Sequence, residues 1–250
     1  MLPLARMIPF FLALWFSADV SAARVAPQGK VRVHLDTEFF GWAHSRPYYE
    51  PGAVKDPANP RVNTIGFGFG RPLHGEASDL GGVGTPSNTM IALGVGYGIH
   101  RHLLLGARLG FNITRAGQRT DDPATANDSN AAFVGGFTPY LEILPIPEGV
   151  VIPFILVRTG FVGSVLTSRD GEGALLRTSG IAPTLGTGVG AHAFINQYFS
   201  VDFSLTFDYR WVHGRARITD PNNPVEVKPE WQRASQGFIL AASLGISTWF

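Results

Sequence analysis

The sequence predicts an all-β fold, a closed antiparallel transmembrane β-barrel, on three observations. Apolar residues recur at every second position along most of the chain, which is the period of a β-strand whose two faces differ in surroundings. The connections between these stretches alternate between short and long, as they do in barrels that cross membranes. Although 45% of the 250 residues are hydrophobic, no apolar run beyond the N-terminus approaches the roughly 20 residues of a membrane helix.

The N-terminus indicates an exported protein. Arg6 precedes an apolar core at 7–16, and Val20-Ser21-Ala22 offers a small-residue cleavage site, as in a secretory signal peptide. We therefore predict a signal peptide at 1–22 and a barrel over 23–250, with an uncleaved anchor helix as the alternative. The chain has no Cys, and its net charge of +1 does not indicate binding to nucleic acid.

The predicted strands follow one another from residue 30 to the C-terminus. Short connections near Arg101, Pro147 and Asn196 alternate with long ones from the loop at 72–87 onward. The long connections are predicted at 44–60, 72–87, 116–130, 167–178 and 213–234. The alternating stretches cover 30–43, 62–71, 91–99, 103–114, 133–143, 150–166, 185–192, 199–211 and 237–250.

The sequence pattern does not give a single number of membrane-spanning strands. Counting back from the C-terminus gives eight strands that begin near Val62, which leaves 30–43 as a ninth candidate. An odd number would place the two ends of the barrel on opposite sides of the membrane. We predict eight spanning strands, with either 30–43 or 61–71 extending, capping or filling the barrel. Ten strands, with one crossing hidden in 72–87, is the alternative.

Aromatic residues on the apolar faces stand at the ends of the predicted strands. In membrane barrels such residues form two girdles at the interfaces between lipid and water. We predict one girdle near the short turns and a second near the long loops. The residues are Tyr97 and Phe199 for the first and Phe111, Phe133, Phe161, Tyr209 and Trp211 for the second.

The opposite faces carry charges of both signs, which we place inside the barrel. An Arg that faced lipid at mid-membrane would cost about 2–4 kcal/mol, and an eight-stranded barrel is just wide enough for side chains to fill. We therefore predict a paired, closed interior, to which His192 also contributes; a proton or small-solute path along the same residues is the alternative. The predicted network is Arg32, His34, Asp36, Glu38, Arg108, Glu142, Arg158, Asp202, Asp208 and Arg210.

Glycine clusters such as Gly94-Val-Gly-Tyr-Gly98 and Gly186-Thr-Gly-Val-Gly190 resemble nucleotide-binding loops only superficially. A dinucleotide fingerprint requires a helix after the glycine turn, whereas here the strand pattern continues on both sides. Alternating inward glycines are better interpreted as room for bulky neighbours and for sheet curvature.

Three glycine-rich or alternating segments and the C-terminus resemble the OmpA/OmpX-like group of small outer-membrane β-barrels. The segments are Leu93-Gly94-Val95-Gly96-Tyr97-Gly98, Leu104-Leu105-Gly106-Ala107-Arg108-Leu109-Gly110 and Phe199-Ser200-Val201-Asp202-Phe203. The resemblance implies a location in the bacterial outer membrane. It also implies that Trp249 and Phe250 form the C-terminal signal read by the barrel-assembly machinery. It specifies the architecture and says little about activity.

We expect a structural or surface-interaction role through the long loops, without catalysis or a cofactor. Tyr48, Tyr49 and Trp231 are the expected contact residues, because loops on a rigid scaffold concentrate binding function. The expected partners are outer-membrane lipids and lipopolysaccharide, the assembly machinery and an extracellular ligand at the loops, but not nucleic acid. A small channel or hydrophobic-solute carrier of the OmpW-like kind is the alternative.

Two further interpretations concern the loops. His213 and Ser168 lie near the outer rim, where some barrels modify lipid A, but the chain has no His-x-Ser pair with a supporting acid on one strand. Asp121, Asp122 and Asp128 could bind a divalent cation, although loop carboxylates are more often solvated and no EF-hand pattern is present.

Overall fold

The computed structural model describes residues 25–48, 50–55, 62–67, 91–117, 129–169, 175–219 and 231–250. Within these ranges nine strands form one antiparallel sheet that closes on itself. No helix of this part is long and apolar enough to cross a membrane. The strands are β1 (Val31–Pro47), β2 (Val62–Phe67), β3 (Ile91–His100), β4 (Leu103–Gly117), β5 (Ser129–Ile143), β6 (Val151–Arg169), β7 (Leu175–Asn196), β8 (Phe199–Thr219) and β9 (Trp231–Trp249).

Several sequence predictions fall outside the described residues. These are the signal peptide at 1–22, most of the loop at 72–87 with a possible hidden strand, and Tyr49. The candidate cation ligands Asp121, Asp122 and Asp128 also lie there.

The ring contains eight strand positions, as predicted. Neighbouring strands pair in the order β1-β3-β4-β5-β6-β7-β8-β9, and β9 pairs back onto β1 from Trp249 opposite Arg32 to Ser235 opposite Pro47. Each of these eight strands therefore pairs with a neighbour on both sides, as strands of a sheet in lipid must. Since β1 takes part along its whole length, the stretch at 30–43 belongs to the wall of the barrel.

The ninth strand, β2, shares one position of the ring with β3. β2 pairs with the 40–45 part of β1, and β3 pairs with the 31–37 part, both antiparallel and both on the edge of β1 that faces away from β9. The two strands therefore run in the same direction, β2 beyond the end of β3. Within the predicted stretch at 61–71, the described residues of β2 extend the wall above β3 and add no further position to the ring. Because β2 and β3 share one position, the nine strands form a ring of eight. The start of β1 and the end of β9 therefore lie at the same end of the barrel.

A β-bulge at Phe39 reverses the side-chain alternation of β1. The register against β9 shifts between Glu38 and Phe40, which inserts one extra residue. Uninterrupted alternation along the predicted stretch 30–43 places Gly41 on the same face as Val31, toward lipid, and Trp42 on the same face as Arg32, toward the interior. For these two residues that prediction is wrong. Gly41 is buried, whereas Trp42 packs edge-on against Phe238, with ring centroids 5.1 Å apart, on the outer face.

Two long loops are shorter than the sequence predicted. The predicted loop at 167–178 is mostly strand, because β6 continues to Arg169 and β7 begins at Leu175. Likewise β8 continues to Thr219 and β9 begins at Trp231, inside the predicted loop at 213–234. Above the lipid both faces of a strand meet water, so the apolar alternation fades while the backbone pairing continues.

The short-turn end of the barrel, called the lower end here, is closed by the N-terminal segment 25–30. Val25 pairs with Gly149 in the β5–β6 turn, and the backbone N–H of Gly29 donates to the carbonyl of Gly98 at 2.8 Å. Val25 also belongs to a buried apolar core at this end. The other members of that core are Leu104, Tyr140, Leu144, Ile152, Phe154, Leu156, Phe194 and Trp249.

Candidate functional site

The structure places the predicted polar network inside the barrel, where it forms two clusters. The lower cluster contains Arg32, Glu142 and Asp202 together with His192, close to the short-turn end. The upper cluster contains the seven other predicted residues, nearer the long loops. These are His34, Asp36, Glu38, Arg108, Arg158, Asp208 and Arg210.

Arg32 on β1 is the centre of the lower cluster. Its guanidinium donates to Glu142 Oε1 at 2.7 Å and to Asp202 Oδ2 at 2.9 Å, and its Nε donates to Ser247 Oγ at 2.9 Å. These partners lie on β5, β8 and β9, so one side chain connects four strands across the interior. Charge-assisted hydrogen bonds of this kind are about twice as strong as neutral ones.

His192 completes the lower cluster by bridging the same two carboxylates. Its Nδ1 lies 2.8 Å from Asp202 Oδ1 and its Nε2 lies 3.0 Å from Glu142 Oε2. Both ring nitrogens face acceptors, so both contacts are hydrogen bonds only in the doubly protonated imidazolium. In that form the two positive groups balance the two carboxylates. The ring also stacks on Phe154 with centroids 4.6 Å apart.

Trp249 closes the lower cluster from below. Its side chain is fully buried, and its Nε1–H donates to Ser200 Oγ at 2.9 Å, which in turn donates to Asp202 Oδ1 at 2.8 Å. The Arg32 guanidinium lies 5.6 Å from the centre of the indole ring, within cation–π range. Trp249 therefore has a place in the interior, apart from the assembly role predicted for it and for the exposed Phe250.

The upper cluster has the same chemistry with looser pairing. Arg158 donates from Nε to Asp208 Oδ1 at 2.8 Å and from a terminal nitrogen to Thr206 Oγ1 at 2.9 Å. Arg108 pairs with Asp36. The remaining contacts are longer: His34 Nε2 lies 3.5 Å from Asp36 Oδ2, and a terminal nitrogen of Arg210 lies 4.0 Å from Asp208 Oδ2.

Two small cavities adjoin the charged residues, with volumes of about 30 and 20 Å³. The first lies between the two clusters, and the second lies beside the upper cluster alone. Each is large enough for one or two water molecules. Four buried polar atoms whose residues line these cavities have no protein hydrogen-bond partner within the described part of the chain. They are His34 Nδ1, Arg108 Nε, Tyr140 Oη and Arg210 Nε.

The inward glycines make room for these side chains, as the alternation predicted. A Cβ atom at Gly94 would overlap the His34 imidazole, and one at Gly186 would overlap the Asp208 carboxylate. A Cβ at Gly190 would overlap the Phe154 ring that supports His192.

The outer wall of the barrel is apolar and is bordered by aromatic residues. All seven predicted girdle residues lie on the outward-facing positions of their strands. Along β8, for example, Phe203, Leu205 and Phe207 expose their side chains between Phe199 below and Trp211 above. A closed sheet with an apolar outer wall and a paired charged interior meets the requirements of a lipid bilayer. The chain has the fold of the small outer-membrane β-barrels.

Comparisons with known proteins found matches among solved structures alone. No protein-family model matches the sequence, and no curated protein sequence matches it. The outer membrane protease OmpT from Escherichia coli is 10% identical with a TM-score of 0.45, over 88% of this chain and 97% of OmpT. Ail, the attachment invasion locus protein of Yersinia pestis, is 12% identical with a TM-score of 0.39, over 89% of this chain and 99% of Ail.

A third example is the outer membrane protein OprG from Pseudomonas aeruginosa. It is 11% identical with a TM-score of 0.38, over 90% of this chain and 98% of OprG. Likeness at this level carries no argument about activity.

The upper rim of this barrel carries groups that the sequence patterns did not bring together. The segment 48–55 lies along β9, where the backbone N–H of Tyr48 donates to the carbonyl of Ala234 at 2.9 Å and that of Gln232 to the carbonyl of Val54 at 3.0 Å. The Tyr48 hydroxyl lies 2.9 Å from Nδ1 of His213 on β8. Burial raises the pKa of the Tyr48 phenol above its usual value, and the Glu50 carboxylate acts in the same direction.

Of the remaining rim residues singled out in the sequence, only His213 has a described side chain. His213 is exposed on the outer wall and contacts Tyr48, its neighbour across β9. Ser168 lies in β6 and Trp231 in β9, but their side chains are outside the described part. Among the described residues, no group of three or more His, Asp and Glu side chains could hold a metal ion.

Three arginines on the rim were not predicted as site residues. Arg177 on β7 and Arg215 and Arg217 on β8 are all exposed and all occupy outward positions. The sequence placed them in loops. The spacing of two in Arg215-Ala-Arg217 was the available signal, because it continues the outward positions of Tyr209, Trp211 and His213.

Proposed function

We propose that the protein is an integral barrel of the bacterial outer membrane with a closed interior, and that it acts through its extracellular rim and loops. In this proposal it neither conducts solutes nor catalyses a reaction. The observation that carries it is the filled interior: the two cavities at the charged residues hold only about 30 and 20 Å³. The lower end, with its short turns, then faces the periplasm.

Opening a path through the lower cluster would be costly. A passing ion would have to separate Arg32 from Glu142 and Asp202, and breaking a buried ion pair costs about 3–5 kcal/mol. It would also have to displace Trp249, whose fully buried side chain covers this cluster. The interior therefore serves as a rigid support, and the accessible chemistry lies at the upper rim.

Planar-bilayer recording of the purified, folded protein tests the closed interior. We expect no reproducible conductance steps from the wild type. The matched control is the double variant Leu104→Ala, Tyr140→Ala, which removes two buried side chains of the lower core and should admit a small conductance if it still folds. Reproducible steps from the wild type would favour the channel alternative.

Location and the absence of catalysis are tested separately. In density-gradient fractionation the protein should follow the outer membrane, and it should migrate differently on gels before and after boiling. Mass analysis of lipid A should give the same species from cells with and without the protein. A new lipid A species that depended on the protein would contradict the non-enzymatic proposal.

A further inference from the structure

Three guanidinium groups crowd together on one outer face of the rim. Arg177 on β7 stands directly opposite Arg217 on β8, and Arg215 is the diagonal neighbour two residues earlier. Side chains opposite each other in an antiparallel pair have Cβ atoms about 4.5–5.5 Å apart, and like charges there are destabilising. An anion that contacted both strands would relieve the repulsion between Arg177 and Arg217.

The height of these arginines matches the level of lipid headgroups. On the outward face of β8, Tyr209 and Trp211 mark the interfacial aromatic girdle. His213, Arg215 and Arg217 follow above them at alternate positions, with all three side chains exposed. The positive charge therefore stands immediately above the apolar wall.

An open groove of about 950 Å³ on the same outer wall runs from this charged edge into the apolar band. Its apolar part is lined by Phe133, Phe161 and Ile181 around two outward glycines, Gly135 and Gly163. At Gly163 a Cβ atom would come no closer than 3.8 Å to a neighbour, so the floor is open. The polar part is lined by His213, Arg215, Gln232 and Glu50.

We propose that this rim is a binding site for one phosphorylated, acylated glycolipid of the outer leaflet. Its phosphates contact Arg177, Arg215 and Arg217, and one acyl chain occupies the groove beside Gly163. Guanidinium groups bind phosphate through paired hydrogen bonds, and the groove has the size of a small-molecule site. Glu50 at the polar edge orients the lipid, because its carboxylate repels a phosphate placed there. The proposal rests on the outer-membrane location proposed above.

Binding is measured by native mass spectrometry of the folded protein in detergent, with bisphosphorylated lipid A as the probe. The double variant Arg177→Gln, Arg217→Gln should bind at least about tenfold more weakly, because it loses two charge-assisted contacts. The matched control Lys30→Gln, Arg101→Gln removes the same charge at the lower end and should bind as the wild type does. Unchanged affinity of the rim variant would overturn the proposal.

The change in Tm on adding lipid A is a second measurement of binding, and it is separate from any effect of the substitutions on folding. Without lipid, the Arg177→Gln, Arg217→Gln variant should be at least as stable as the wild type, since the like-charge contact is relieved. With lipid A, the wild type should gain more in Tm than the variant. Equal gains would count against the site.

The groove and the source of the phosphate are tested by Gly163→Leu and by two further probes. Gly163→Leu should weaken binding of lipid A and leave binding of inorganic pyrophosphate unchanged. Dephosphorylated lipid A should bind weakly to the wild type. If pyrophosphate bound as tightly as lipid A, or if Gly163→Leu had no effect, the site would be an anion site without lipid specificity. A protein that fractionates with the outer membrane but does not bind lipid A overturns this inference alone.

Discussion

The lower and upper halves of the barrel interior contain the same kinds of side chain but differ in how completely they are paired. In the lower cluster both ring nitrogens of His192 and all four carboxylate oxygens of Glu142 and Asp202 have partners. In the upper cluster Arg108 and Arg210 each leave a buried Nε without a protein partner in the described structure. Fully satisfied buried networks rigidify a core, whereas partly satisfied ones leave freedom. The lower cluster is therefore the more rigid part of the interior.

The surroundings of the two halves reinforce this difference. The lower end is covered by the 25–30 segment and by an apolar core that includes Phe154, Phe194 and Trp249. The upper end has one of the two water-sized cavities to itself, and the other lies between the two clusters. A rim segment formed by Tyr48 and residues 50–55 lies along the end of β9. Regions with few buried apolar contacts open at low free-energy cost. The rigid half supports the half that carries the long loops.

The largest effect is expected from Arg32→Met. The change leaves Glu142 and Asp202 with His192 as their only remaining positive partner in the lower cluster, and should cost about 3–5 kcal/mol of unfolding free energy. Arg108→Met in the upper cluster should cost clearly less, because Arg108 pairs with one carboxylate, Asp36, whereas Arg32 pairs with two. Urea unfolding of both variants in lipid vesicles is the measurement. Equal losses would show that the two clusters do not differ.

An intermediate effect is expected from Gly94→Ala. The added methyl group would overlap His34, so the imidazole must move in a packed interior, at a cost of about 1–3 kcal/mol. The matched control is Gly163→Ala on the outer wall, where the new Cβ makes only ordinary contacts and should change stability by less than about 0.5 kcal/mol. If both variants unfolded at the same urea concentration, the upper interior would be looser than described.

The smallest effect is expected from Tyr48→Phe, which removes the contact of the 48–55 segment with His213. Trypsin cleavage after Lys55 should become about fivefold faster, the consequence of losing one hydrogen bond. Because the folded pKa of Tyr48 is raised above 10.0, this contact is present below the unfolded value and is lost as the pH rises through the folded one. A difference titration of phenol absorbance between wild type and variant should show a midpoint above 10.0.

The alternation along each strand was sufficient to predict the ring and its sidedness, because lipid and a charged interior impose opposite demands on neighbouring residues. In β8, Asp202 and Asp208 alternate with Phe203 and Phe207, which permits only one orientation. The bulge at Phe39 was beyond this reasoning. Phe39 and Phe40 are both apolar. The alternation of apolar and polar residues therefore does not show which of the two faces lipid, or that one of them is the extra residue of a bulge.

The pairing inside the barrel could not be derived from the pattern either. Arg32 and Asp202 are 170 positions apart, and their contact depends on the register of every intervening strand. The ends of β7 and β8 were missed for another reason. Arg177 and Arg215 stand above the lipid, where outward positions are polar and resemble a loop.

The seam between the first and last strands imposes an order of assembly on the chain. Val31 and Phe250 exchange two backbone hydrogen bonds, of 3.0 and 2.9 Å, where the two strands meet. The ring closes only when β9 pairs with β1, and Arg32, adjacent to the seam, meets its carboxylates on β5 and β8 in the closed ring. An incomplete barrel would bury these charges unmatched. Pairing of Arg32 with Glu142 and Asp202 therefore favours the closed ring, in which β9 is paired with β1, over an open sheet.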